Sequence, residues 1–217
     1  MATSSAPPGL PRPHKRPTQS RAVFTVQAIY DGFVRIWRRD GPDAATTRAI
    51  AAETGYAVGT IYDYFPNRTA LLAGYYQHCI ESMCQQIASE NTANADQPWT
   101  ARLHSLIRLT CGDTDAGPYF DRDMLVRESD IAHTRHQQRA FELCVTAWQA
   151  AIDSWADLDR AVPSAITQTP VMMVWGVMRY AYVLDRRTDQ ARLPVGQLCV
   201  MAQALIEHSP AHTAPIG

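Results

Sequence analysis

Between positions 47 and 64 the chain sets out a row of groups suited to gripping phosphate oxygens: Thr47 and Arg48, then Gly59 and Thr60, then Tyr62 and Tyr64. Hydroxyls, phenols and a guanidinium all donate hydrogen bonds that phosphate accepts, and the free amides at a helix start add to them. Arg48 also carries the fork that reads a guanine edge, and the Thr60 methyl suits a thymine methyl. Gly59, directly after Val58, has no side chain to hold this segment away from a groove. Asp63 runs against the pattern: it either accepts from a cytosine amino group or points to solvent. Taken singly, each residue has a plain reading, the aromatics as core and Arg48 as an exposed helical charge.

Other groupings point to different chemistry. His104, Arg108 and Cys111 recur at helical spacing and could hold an anionic ligand, or form a solvated polar face. His133 and His136 with Glu128 invite a zinc reading, but a fourth ligand at recognisable spacing is missing. The sequence contains no nucleophile elbow, Gly-rich phosphate loop or paired catalytic carboxylates, so no catalytic residue, metal or cofactor is expected.

The elements that must position these groups read as helices throughout. Val26, Ile29, Tyr30, Phe33, Ile36 and Trp37 fall at three-and-four spacing in a helix starting at Thr18 or Ser20, ended by Asp40-Gly41-Pro42 with Gly41 as a left-handed cap. A short second helix starts at Thr46, a good cap, and stops at Gly55. A third covers Val58 to Phe65, with Ile61 and Phe65 turned back onto the first, and lacks a side-chain cap because Ala57 precedes it. Pro66-Asn67 breaks and recaps the chain, launching a fourth helix to about Ala88, followed by a polar loop to Pro98. Further helices are expected over Thr100–Thr110, Tyr119–Ser129, Thr134–Trp155, Ala165–Leu184 and Val195–Ile206, with a break at Gly112–Pro118. Ala165–Leu184 is apolar on nearly every side, so it needs cover from two directions; the last two helices are the candidate dimer interface.

Charge divides the chain. Net charge is -1 over 217 residues, but Arg12 to Leu72 holds nine basic and five acidic residues, so a polyanion would meet the N-terminal part. Residues 1–17, rich in proline, read as a disordered basic arm, and 209–217 as a disordered tail. Five widely spaced cysteines make a disulfide framework an unlikely design. No signal peptide or membrane span is expected, since Val171–Leu184 is interrupted by Arg179 and too short, which points to a soluble cytoplasmic protein.

Two short helices joined by a glycine-containing turn, with a packing helix before them, have the design of a helix-turn-helix. Thr46-Thr47-Arg48-Ala49-Ile50-Ala51, followed by Gly55-Tyr56-Ala57-Val58-Gly59-Thr60-Ile61-Tyr62-Asp63-Tyr64-Phe65-Pro66-Asn67-Arg68, resembles the signature of the TetR family of transcriptional regulators. Arg21, Ala28, Phe33 and Gly41 fit it too, so the resemblance spans roughly residues 18 to 72. It implies an all-α chain with a DNA-binding domain over 18–66 and a helical effector-binding and dimerisation domain over 67–208. Arg68 falls where that family usually places a phosphate-binding lysine. The resemblance further implies a homodimer on a pseudo-palindromic duplex operator, acting as a repressor released by a small-molecule effector. Candidate residues for the effector cavity are His104, Arg108, Met124, Phe141, Trp148, Met172, Trp175 and Tyr182. The rival readings are a ligand-independent architectural DNA binder and a small helical enzyme.

Overall fold

The apolar stripe of the first segment folds as expected. In a computed structural model that describes residues 20–112, 117–131, 134–183 and 195–209, it forms helix α1, Ser20–Asp40. Its Ile29, Tyr30, Phe33, Ile36 and Trp37 are buried. After it come α2, Thr47–Thr54, α3, Val58–Tyr64, and α4, Arg68–Ala93. Then follow α5, Trp99–Thr110, α6, Arg122–Ile131, α7, Thr134–Asp153, α8, Ser164–Val183, and α9, Val195–Glu207. Among the described residues there is no strand, so the fold is all-α, an N-terminal helix-turn-helix followed by a helical C-terminal part. The N-terminal arm and the C-terminal tail beyond Ser209 lie outside the described residues, as do Thr18 and His133; Ser209 itself is buried.

The described chain divides into two units. The first comprises residues 20–77 together with the end of α6, from Arg127. An aromatic cluster closes its core: Tyr30 meets Phe65 and Tyr75 at ring separations of 5.6 and 5.4 Å, and Phe33 meets Trp37 and Tyr75, both at 5.2 Å. Each such ring, fully buried, contributes about 1.5–3 kcal/mol. At Gly32 α1 and α2 approach closely: a Cβ there would lie 2.4 Å from the Thr54 methyl, so a larger residue would force one of them to shift.

Two details of this unit depart from the expected pattern. Gly41 has φ +86° but ψ 171°, so it is an extended glycine-only conformation and not a left-handed helical cap. It leads into a 3₁₀ turn, Pro42–Ala44, started by a proline whose missing N–H costs nothing at that position. Elsewhere the caps follow local chemistry. Thr46 accepts from the Ala49 amide at 3.1 Å, Gly55 closes α2 with φ +75°, and Asn67 accepts from the Ala70 amide at 2.8 Å.

The second unit comprises residues 78–126 and the described residues from 134 onward. Trp148 sits in its core with Leu103, Ile107, Cys144, Val171, Leu198 and Ile206. Its indole N–H donates to Thr110 Oγ1 at 3.1 Å, which removes the cost of burying that donor. At one edge the Trp99 amide donates to Asp157 at 2.7 Å, and the buried Arg102 guanidinium both pairs with Asp157 and stands 5.5 Å over the Trp155 ring. The amide bond and the Arg102 charge hold the Asp157 carboxyl below its ordinary range.

Helix α4 runs one turn further than expected, to Ala93 instead of about Ala88. Asn91 accepts from the Trp155 indole at 2.7 Å and donates to Ser154 Oγ at 2.9 Å, so a tertiary contact pins polar residues that read as loop. Helix α6 starts at Arg122 instead of Tyr119, because Asp121 caps it by accepting from the Met124 amide at 2.8 Å. No helix among the described residues is long and apolar enough to cross a membrane.

Candidate nucleic-acid interface

The α2–turn–α3 segment is built so that its buried side fixes its exposed side. Ile50 and Ala51 of α2 and Ile61 of α3 face the core, and Phe65 locks the exit of α3 against Tyr30. On the opposite side Arg48, Val58, Gly59, Tyr62 and Asp63 are exposed, with Thr47, Thr60 and Tyr64 half-buried beside them. The helices are also joined on that side. Thr47 Oγ1 donates to the Tyr62 hydroxyl at 3.2 Å, which leaves the phenol's own proton for an outside acceptor.

Charge around this face is partly spent within the protein. Arg35 and Arg39 both donate to Glu53, at 2.9 and 3.1 Å, and so tie α1 to α2. These hydrogen bonds, Arg35's first, hold the Glu53 carboxyl below its ordinary range, while Asp40 and Glu53 raise Arg39. Arg48, by contrast, has no ion-pair partner among the described residues and stands exposed at the start of α2. Arg68 donates to the Pro42 carbonyl and lies 3.7 Å from Asp43, bracing the start of α4 against the 3₁₀ turn. Asp43 also receives Arg127 at 3.3 Å, and the Arg127 guanidinium stands 6.0 Å from the Trp37 ring centroid. Spacing gave no hint of this use of Arg68, which depends on the unforeseen turn at Pro42.

Gly59 is informative for what it does not do. Its φ is not positive, and a Cβ added there would meet nothing within 4 Å. The fold itself therefore does not require glycine, and a demand for close approach would have to come from outside the chain.

The other expected site residues are scattered. His104 and Arg108 are exposed on α5, whereas Cys111, expected beside them, is wholly buried. Met124 and Trp148 are also buried without solvent contact, Phe141 and Trp175 pack half-buried against the core, and Met172 is mostly exposed. The side chain of Tyr182 lies outside the described residues. An open groove of about 560 Å³ occurs elsewhere in the second unit, lined by Asn91, Gln97, Arg102, Ser154 and Asp157 among others. None of the eight expected effector residues lines it. Its walls are polar loop and helix-end residues that an apolar-lining criterion passes over. Among the described residues no group of three or more His, Cys, Asp and Glu is placed to hold a metal.

Comparison with known proteins finds a family match for the segment that carries this face. Residues 25–75 match the family described as bacterial regulatory proteins, tetR family. Solved structures with a similar fold include the fatty acid degradation regulator FadR from Bacillus halodurans, 15% identical, with 91% of this chain and 99% of that one covered at a TM-score of 0.57. A putative TetR-family transcriptional regulator from Mesorhizobium loti MAFF303099 is 18% identical over 87% of this chain and 96% of its own, also at 0.57. The multidrug binding protein EbrR, complexed with imidazole, is 13% identical over 83% and 93%, at 0.56. No curated protein sequence matches the chain.

Proposed function

We propose that this chain, whose residues 25–75 match the tetR family of bacterial regulatory proteins, is a homodimeric repressor that leaves a pseudo-palindromic operator when a small molecule binds its C-terminal unit. The observation that carries the DNA-binding part is the α2–α3 face, where Thr47 and Tyr62 are fastened to each other while Arg48, Gly59 and Thr60 stand beside them. Thr47, Arg48, Thr60, Tyr62 and Tyr64 fix the module on phosphates, and Val58, Gly59 and Asp63 present the surface nearest the bases.

Dimerisation is supported by α8 and α9. Met172 and Tyr180 on the first, and Val200 and Met201 on the second, are each more than half exposed, an arrangement that suits a second copy better than water. Effector release is supported by α4, whose first turns belong to the unit holding α2 and α3 and whose remainder belongs to the second unit. A ligand that prefers one position of α4 changes operator affinity by its differential affinity for the two conformers, and by no more. One neighbour of similar fold, titled as a multidrug binding protein complexed with imidazole, favours this over a ligand-independent architectural role.

A gel-shift titration on duplexes selected by the wild-type chain tests the reading. Thr60→Ala combined with Tyr62→Ala removes two donors at about 1 kcal/mol each, so affinity falls roughly tenfold or more. Equal affinity of the two proteins would contradict the assignment of this face.

A further inference from the structure

We propose that Asp63 on α3 reads sequence, its carboxylate accepting a hydrogen bond from the N4 amino group of one cytosine in each half of the operator. The inference rests on the reading of the α2–α3 face as a DNA-binding surface and assigns a specific partner within it. An α-helix turns by about 100° per residue, so Gly59 and Asp63, two positions before and two after the buried Ile61, each lie about 160° around α3 from it. Both are exposed, and they stand one turn apart in a single row. Thr60 and Tyr62 flank that row, each about 100° from Ile61. The part of α3 turned furthest from the core is therefore a glycine that the fold does not require, followed by a carboxylate.

Charge decides what that carboxylate can meet. The segment from Thr47 to Tyr64 holds two acids. Glu53 is bonded to Arg35 and Arg39, whereas the Asp63 carboxylate has no ion pair or hydrogen bond among the described residues. A free carboxylate is repelled by phosphate oxygens and matches only donors. In the major groove those donors are the amino groups of cytosine N4 and adenine N6, while guanine N7 and O6 and thymine O4 are all acceptors. Adenine sets its N7 acceptor beside N6, which suits the paired acceptor and donor of an asparagine amide and repels the second oxygen of a carboxylate. Cytosine presents N4 without that neighbour, so it is the base a carboxylate selects. Thr47, Arg48 and Tyr62 supply the grip on the backbone, and Asp63 contributes discrimination, by attraction to one base and repulsion from guanine and thymine.

The test is selection from a random duplex library with the full-length wild type, Asp63→Ala and Asp63→Asn, followed by binding isotherms on the selected duplex. The wild type is expected to enrich an inverted repeat with a fixed cytosine in each half. Asp63→Ala is expected to enrich the same repeat with that one position relaxed, and Asp63→Asn to exchange the cytosine for adenine. Replacing the cytosine by thymine puts an acceptor where the donor was. That change is expected to weaken wild-type binding roughly five- to 150-fold per half-site, and Asp63→Ala by no more than about twofold. The side chain is exposed and unbonded, so the three proteins are expected to melt together, and the wild-type preference for cytosine over thymine is read without any variant. If both variants keep the cytosine, or if Asp63→Ala binds every duplex more tightly with unchanged base preferences, the proposal is overturned while the DNA-binding face stands. If the wild type enriches no sequence, the DNA-binding reading fails and this proposal fails with it.

Discussion

At the scale of single residues, Gly59 and Glu53 separate what the fold needs from what a partner needs. A Cβ at Gly59 would meet nothing, and helix interiors prefer alanine by about 0.5–1 kcal/mol, so Gly59→Ala is expected to melt at or slightly above the wild type. On the proposed DNA-binding face the same methyl lies on the side turned to the groove, so the affinity of Gly59→Ala for DNA is expected to fall while its stability does not. A melting curve and a binding isotherm on the same preparation check both. Glu53 is the converse case, committed to Arg35 and Arg39 inside the protein. Its folded carboxyl lies below the ordinary range, so its contribution to stability is present above the unfolded carboxylate pKa and is lost as pH falls through the lowered one. The melting-temperature difference between wild type and Glu53→Gln is therefore expected at neutral pH and to vanish on acidification. Gly59 lies within the motif quoted from the sequence and Glu53 between its two stretches, but only the folded structure tells apart the exposed Arg48 and the committed Arg35, because ion-pair partners eighteen positions apart leave no local signature.

At the scale of elements, legibility follows how local the deciding interaction is. Thr46, Gly55 and Asn67 act on amides or dihedrals within four residues, and the boundaries they set were readable in advance. The end of α4 was not, because Asn91 gains its partners Ser154 and Trp155 from more than sixty residues away. The 3₁₀ turn at Pro42 was missed for a different reason: Gly41-Pro42 signals the end of a helix equally well whether or not another turn follows. Replacing Asn91 with alanine leaves the Trp155 indole N–H without its acceptor and the Ser154 hydroxyl without its donor. The expected cost is about 1–3 kcal/mol, read as a lower urea midpoint at unchanged slope. The effector residues were the least legible part, since large apolar side chains such as Trp148 and Met124 serve a core as readily as a cavity, and here both are buried.

At the scale of the whole molecule, the chain carries the α2–α3 face proposed to bind DNA and a helical unit whose last helices hold exposed apolar side chains. An operator read by two copies must repeat, and the repeat must match the separation of two α3 helices lying in successive major grooves. That requirement makes the central claim measurable without knowing the effector. Genomic fragments enriched by the full-length protein, footprinted with hydroxyl radicals, should show two protected patches related by inverted sequence repeats, centred about 10–10.5 base pairs or a multiple of that apart on one face of the duplex. Enrichment no greater than that of arbitrary DNA, or protection of a single patch with no inverted repeat, would contradict the account.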